Sequence, residues 1–418
     1  MGRVGRSLTR ARVLARFALT AQRHRFHRQQ SPDGVRLCDE TRRADNPYFM
    51  KISVPTETAP REQRVALAPD SVARLIKQLK LEITVQRGAG LRAGFRDDAY
   101  ESAGATMVGD AASAFDCPVV AKVQPPTADE IGRIPSGATL ISLMRPGQSA
   151  DAVSALAQRR VTSLALELVP RITRAQSMDV LSSQSTVSGY KAVLIGASAL
   201  GKFLPMLTTA AGNISPAKVF VIGAGVAGLQ AIATARRLGG VVSGFDVRPA
   251  AREQVLSLGA TFVANDLVSE TAEAAGGYAR AQTQDEQART LAAIGNHIKD
   301  QDLVVTTAAI PGKPAPKLIT DEMVASMRAG SVIVDLAAET GGNCTLAKPG
   351  ETVQANDVTI IAPLNVPSTV AFHASQMFGR NIFELLKHLV KDGALQLDQN
   401  DEITGAMMMT HDGKVLRS

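Results

Sequence analysis

Lys218-Val-Phe-Val-Ile222, followed at once by Gly223-Ala224-Gly225-Val226-Ala227-Gly228 and a helical pattern through Leu238, is the stretch that decides the fold. A short β-branched run opening through Gly-x-Gly-x-x-Gly into a helix is the turn on which dinucleotides bind. Gly223 lets the chain turn off the strand, Gly225 lets a pyrophosphate approach the backbone, and Gly228 lets the helix sit close to the sheet. The helix N-terminus then offers N–H groups to an anion. A lone motif of this kind is weak, but Val241-Val-Ser-Gly-Phe-Asp246 follows it, a second strand ending in an acid 18 residues after Gly228. A carboxylate there accepts hydrogen bonds from an adenosine ribose and repels a 2′-phosphate. Arg248 argues for NADP(H); Asp246, first at the strand end, outweighs it in favour of NAD(H). The bland alternative is a tight strand-to-helix turn without a ligand.

Working outward from that motif, β-branched runs alternate with helical patterns from Met50 onward, the signature of parallel sheets with crossover helices. Strands are expected at Lys51–Val54, Ile83–Gln86, Val119–Val123, Thr139–Met144 and Val161–Leu166, with helices at Asp70–Leu79 and Asp97–Ala103. An Ala/Gly-rich helical segment over Gln184 to Asn213 reads as a hinge, a second alternation runs from Lys218 to Leu364, and an amphipathic helix over Pro367 to Val390 packs back on the first domain. The expected architecture is α/β, with two Rossmann-like doubly wound parallel-sheet domains joined by long helical segments. The expected divisions are a basic extension over 1–49, a first domain over 50–181 plus 370–418, and a nucleotide-binding domain over 182–369.

Composition agrees and narrows the partners. The 418 residues are 45% hydrophobic and 20% charged, with 4% aromatics and no tryptophan. This excludes disordered and collagen-like chains and a base-stacking platform for single-stranded nucleic acid. The formal charge of +7 resides entirely in residues 1–49, where eleven Arg face Asp33, Asp39, Glu40 and Asp45. The remainder has 35 basic and 35 acidic side chains, so no nucleic acid is expected as a partner. Cys38, Cys117 and Cys344 are widely spaced without a metal-ligand rhythm, so no metal is expected and the thiols read as reduced. No run of 18 uninterrupted apolar residues occurs. The Arg-rich, initially acid-free start has the chemistry of a mitochondrial presequence. The preferred reading is upstream translation or a tail, with the functional start at Met50.

A second constellation lies just after the strand near residue 166: Pro170-Arg171-Ile-Thr-Arg174-Ala-Gln176-Ser177-Met178-Asp179-Val-Leu-Ser182. Ligands of open α/β sheets collect outside the carboxyl ends of strands, which suits this polar loop to the nicotinamide end of a dinucleotide. On composition alone a helix cap at Ser177 or Asp179, with a solvated Arg pair, is an equal alternative.

These residues carry a resemblance over Met50 to Ser418. With Val54-Pro-Thr-Glu57, Arg64-Val-Ala, the Arg171 to Asp179 string, Gly223 to Ala235, Asp246-Val247-Arg248, Ala275-Gly-Gly277-Tyr278-Ala, Ile310 to Pro316 and Gly341-Gly-Asn-Cys344, the chain resembles the NAD(H)-binding α subunits of proton-translocating nicotinamide nucleotide transhydrogenases, in particular the soluble α1 subunits of split-gene enzymes. The resemblance implies direct hydride transfer from NADH on this chain to NADP⁺ on a partner β subunit, coupled to proton movement through a membrane α2 subunit and the β subunit. It implies a homodimer at the cytoplasmic face of the inner membrane, or in the mitochondrial matrix if residues 1–49 are a presequence. It implies that Arg171, Gln176, Asp179 and Ser182, with Ser177 and Met178, meet the nicotinamide end, and that Gln176, Arg171 and Asp179 serve the transfer. Gly223, Gly225, Val226, Ala227 and Gly228 would hold the pyrophosphate, Asp246, Val247 and Arg248 the adenosine ribose. Gly277 and Tyr278 would lie on a loop closing over NAD(H), with Ala309 completing the set.

The runner-up is a soluble alanine dehydrogenase with the same plan. Imine reduction needs a proton donor, normally His, and a Lys holding the substrate carbonyl. Lys122 is available for the second role, but Leu140-Ile-Ser-Leu-Met-Arg-Pro146, where that family places its His, contains none. His297, His373, His388 and His411 read as surface residues. Transfer between two nicotinamides moves no proton at the donor, so the missing His favours the transhydrogenase reading. The third class is a catalytically silent NAD-binding regulator.

Overall fold

The computed structural model describes residues 50–264, 283–309 and 313–417. Two sheets organise them. The first is built from β1 (Lys51–Val54), β2 (Glu82–Gln86), β3 (Thr106–Val108), β4 (Val119–Ala121), β5 (Thr139–Ser142) and β6 (Thr162–Ala165). These pair in parallel in the order β3-β2-β1-β4-β5-β6. A hairpin of β7 (Leu207–Thr209) and β8 (Gly212–Ile214) precedes the second sheet. That sheet contains β9 (Lys218–Ile222), β10 (Val241–Phe245), β11 (Thr261–Phe262), β12 (Leu303–Thr306), β13 (Val332–Asp335), β14 (Thr352–Ala355) and β15 (Val358–Ile361). Its order is β11-β10-β9-β12-β13-β15-β14, with only β14 antiparallel. Both sheets therefore change direction of winding beside their first strand, between β1 and β4 and between β9 and β12. Such a switch point opens a crevice outside the carboxyl ends of the strands.

Strands buried on both faces explain the near-continuous apolar runs: β12 and β13 are buried at every residue. One face of the first sheet packs against the Pro69–Leu79 and Ala371–Leu389 helices, through Leu75, Phe378, Ile382 and Phe383. Its other face closes over Phe115, Ile131, Leu140 and Leu156. In the second sheet, Val219, Val221, Leu303 and Val332 meet Ala192, Ala231 and Val255 on one side, while Phe220, Ile222 and Val304 meet Ile294 and Ile298 on the other. The fold is thus α/β with two Rossmann-like, dominantly parallel sheets.

Two regions differ from the sequence expectation. The helix expected over 184–213 runs over Val180–Ala199, because Asp179 caps it and Leu200 turns to extended backbone; the hairpin β7–β8 then takes the remainder. After the Ala371–Leu389 helix come β16 (Val390–Lys391) and β17 (Ala394–Leu395), then β18 (Met408–His411) and β19 (Lys414–Val415). β18 adds antiparallel to β6, with Met408 opposite Leu164 and Thr410 opposite Ser163. The chain end is thereby stitched to the first sheet by Thr410 Oγ1, which bonds the Val161 carbonyl and the Ser163 hydroxyl.

Candidate nucleotide site

The glycine turn after β9 is dense beneath and open above. A Cβ on Gly228 would stand 1.7 Å from the Gly223 carbonyl oxygen, so the helix Val226–Arg237 reaches the strand end only with glycine there. Thr307 Oγ1, one residue past β12, donates to that carbonyl at 2.9 Å and ties the two switch-point loops together. Above Gly225, by contrast, the only heavy atom of the described residues within reach of a Cβ is Arg248 Nη2 at 3.9 Å. The turn therefore fits a pyrophosphate: bare backbone at Gly225 beneath the first turn of a helix of three turns, with Val226 exposed on it. Ala227 lies in the same turn, and Ala309 is exposed just beyond β12.

Asp246, at the end of β10, is 7% exposed and already engaged within the chain. It takes the Ala224 N–H at 2.7 Å and three donors of Arg248, its backbone N–H and two guanidinium nitrogens, at 2.8 to 2.9 Å. Val247 packs into the apolar layer beneath. The expectation of a carboxylate open to ribose hydroxyls meets, in this structure, a carboxylate covered by its own neighbour.

The loop over residues 171–182 resolves its two readings in detail. Thr173–Met178 forms a 3₁₀ turn, and Asp179 then caps the Val180–Ala199 helix, accepting from Ser182 N–H at 2.9 Å and Ser182 Oγ at 2.6 Å. Ser177 gives its carbonyl to Asn381 Nδ2 at 2.7 Å, and Met178 is buried in the first sheet's core. Arg171 and Gln176 are exposed. Arg174, one of the solvated Arg pair of the alternative reading, is held by Asp401 and Glu402 at 3.3 Å.

One helix connects the two motifs. A Cβ on Gly189 would lie 2.0 Å from the Ala227 carbonyl oxygen, so Val180–Ala199 crosses the glycine-motif helix in backbone contact. From Asp179 to Gly189 the helix rises about 15 Å. The capped loop and the glycine turn are thus fixed relative to one another through a rigid element. Sequence reading missed both Gly189 and Thr307; the Ser188-Gly189 pair of small residues and the Thr306-Thr307 step beyond a buried strand were the available signals.

The first sheet's crevice is filled by its own side chains. Lys122 Nζ lies 2.9 Å from Glu130 and 3.5 Å from Glu57, and is 1% exposed. Glu57 also accepts from Val123 N–H at 2.6 Å; burial outweighs the Lys122 charge and pushes its carboxyl above the ordinary value. Glu62 forks onto Arg64 at 2.7 and 2.9 Å and accepts from Gln124 and Asn365. Burial alone would raise Glu62; the Arg64 hydrogen bonds and charge outweigh it and hold the carboxyl at about 2. Lys122, considered above for a substrate role, is thus held between two carboxylates. Three of the four histidines expected at the surface are half-buried and bonded: His297 to Ser243, His388 to Asp401 and His411 to Thr162. Only His373 is exposed.

Gly277, Tyr278, the segment 310–312 and the extension 1–49 lie outside the described residues. Among the described residues no helix is long and apolar enough to cross a membrane, and no cluster of His, Cys, Asp and Glu is arranged to hold a metal.

Two doubly wound sheets, one with a glycine-lined crevice, define a nucleotide-binding α/β protein. Residues 53–188 match the N-terminal domain and residues 192–418 the C-terminal domain described as alanine dehydrogenase/PNT, and the chain belongs to that family. It is 46% identical over 376 residues to the first part of the NAD(P) transhydrogenase subunit alpha of Rhodospirillum rubrum, covering 88% of this chain and 98% of that one. The solved transhydrogenase from Sinorhizobium meliloti superposes with a TM-score of 0.80 at 46% identity, covering 88% of this chain and all of the other. A solved L-alanine dehydrogenase superposes less closely, with a TM-score of 0.73 at 25% identity over 88% of this chain and 97% of its own.

Proposed function

We propose that this chain binds NAD(H) in the second sheet's crevice and exchanges hydride with NADP(H) held by a separate β subunit, as the α1 component of a proton-translocating transhydrogenase. The observation that supports this best is the Val180–Ala199 helix, whose cap lies at the Arg171–Ser182 loop and whose Gly189 meets the glycine turn. That spacing suits one extended dinucleotide lying across both motifs. The turn from Gly223 to Gly228 binds the pyrophosphate, and the Asp246–Arg248 pair, with Val247 behind it, receives the adenosine ribose. Asp179 and Ser182 brace the loop, so that exposed Arg171 and Gln176 orient the nicotinamide. Bound NADH supplies the hydride; these side chains contribute placement, which is the only help a carbon-to-carbon hydride transfer requires. Proton movement belongs to the membrane α2 and β subunits, and this subunit works as a homodimer docked on them at the cytoplasmic face.

The alanine dehydrogenase alternative needs a lysine and a proton donor beside the substrate. Lys122 is committed to Glu57 and Glu130, and the loop after β5 carries Arg145, bonded to Gln124, where a histidine is required. Replacing Gln176 tests the preferred reading. Mixed with an NADP(H)-binding β domain, Gln176→Ala should bind NADH within a few-fold of wild type and transfer hydride about 10²-fold more slowly. Loss of NADH affinity with an unchanged transfer rate would make Gln176 a ligand clamp and contradict the placement role.

A further inference from the structure

The adenosine end of the crevice is not lined by a bare carboxylate. Each oxygen of Asp246 takes two donors from the chain. Oδ1 accepts from the Arg248 backbone N–H and from Arg248 Nε, both at 2.9 Å. Oδ2 accepts from Ala224 N–H at 2.7 Å and from Arg248 Nη2 at 2.8 Å. The guanidinium thus lies as a fork on the carboxylate, the geometry in which Arg neutralises an acid most fully. Its Nη2 is also the atom nearest the open face of Gly225, so the cation and not the anion stands toward the approach of the ligand. Asp246 is 7% exposed and the Arg248 side chain 19%.

A carboxylate alone at this position would discriminate against a 2′-phosphate by repulsion. Covered as it is, Asp246 has little field left to exert. Resting on the dinucleotide reading of the crevice, we infer that Arg248 is a specificity-determining residue for the adenosine end: clamped on Asp246, it lowers the discrimination against 2′-phosphorylated adenosine that the acid alone would impose. Asp246 then acts chiefly by position, carrying the fork and holding the Ala224 N–H within the glycine turn.

The test uses 5′-AMP and 2′,5′-ADP as probes of that end alone, titrated calorimetrically into the full chain. Arg248→Ala uncovers the acid, and the ratio of 5′-AMP to 2′,5′-ADP affinity should rise about tenfold or more, the scale of one nearby charge acting on another at a protein surface. Arg248→Lys keeps the cation without the fork and should give a ratio between wild type and Arg248→Ala, whereas Arg248→Gln, which keeps polar donors without charge, should follow the alanine variant. A measurement on wild type needs no folding of variants: with the Arg248 fork over the acid the ratio should hold steady or rise from low to high salt, whereas repulsion from a bare acid would be screened and the ratio would fall. An unchanged ratio in Arg248→Ala and Arg248→Gln, or a wild-type ratio falling with salt, overturns this inference while leaving NAD(H) binding intact. Wild-type protein that binds neither probe nor NADH contradicts the dinucleotide reading, and this inference with it.

Discussion

The two sheets share the order of their first five strands, 3-2-1-4-5 in chain order, and differ in what occupies their crevices. After β1 and β4 the loops meet through side chains: Glu57, Glu62, Arg64, Lys122, Gln124 and Glu130 are all buried and bonded to one another. After β9 and β12 the loops meet through backbone, with glycines at 223, 225 and 228 and the Thr307 hydroxyl on a carbonyl. In a crevice closed by paired charges, each charge has already exchanged water for a partner within the chain. A crevice of backbone beneath a helix N-terminus keeps its donors for an incoming anion. One architecture thus yields two different switch points, one lined by paired side chains and one by glycine backbone.

The largest effect expected from this contrast is in the closed crevice. Lys122→Met leaves Glu57 and Glu130 buried against each other without their cation, and should cost about 3–5 kcal/mol in urea unfolding. NADH affinity of the folded variant should stay within about threefold of wild type; an equal loss of binding would erase the distinction between the two switch points. Acid titration sharpens the same point. Glu62 is held at about 2, below its ordinary 4.5, so its contribution is present above 4.5 and is lost as pH falls through about 2. That contribution is on the order of 3 kcal/mol, and Glu62→Gln should flatten this part of the acid limb. Glu57, raised by burial, works in the opposite sense, since protonation as pH falls favours its folded form. An acid limb identical in wild type and Glu62→Gln would dissolve the proposed clasp.

In the open crevice the effect falls on binding. Gly228→Ala places a methyl 1.7 Å from the Gly223 carbonyl oxygen, and the helix must move off the strand. NADH fluorescence titration should show at least a roughly 100-fold loss of affinity, about 2.7 kcal/mol. Wild-type affinity in that variant would show that the turn is only structural. The chain's lack of tryptophan keeps the NADH signal clear of energy transfer from indole.

The open crevice was legible in the sequence and the closed one was not. Glycine spacing, a β-branched run and Asp246 lie within 30 residues, and local signals survive reading one residue at a time. The closed crevice joins Arg64 to Gln184 and Asn365, partners 120 and 301 residues away, and no local pattern announces such a meeting. Distance along the chain likewise hid β18, Met408-Met-Thr-His411, whose place beside β6 depends on tertiary pairing. At the candidate site, motif residues were found, and the cap alternative at Asp179 was among the readings, but other present partners were not: Asp246 carries Arg248, and Met178 is core. Charge and hydrogen-bonding capacity are written in the sequence; whether a neighbour has already used them is decided only in the fold.

The central claim is that hydride leaves NADH on this chain for NADP⁺ on a partner with no proton exchanged between reactants and solvent. It is tested most directly by following NADH oxidation and proton uptake together in weakly buffered solution, with the NADP(H)-binding domain of the β subunit detached from its membrane segments. NADH plus NADP⁺ gives NAD⁺ plus NADPH with no net proton, so the account predicts hydride transfer and a flat indicator trace. Absence of transfer with the partner domain, together with partner-free oxidation of NADH by pyruvate and ammonium, which takes up one proton per hydride as alanine and water form, would contradict it.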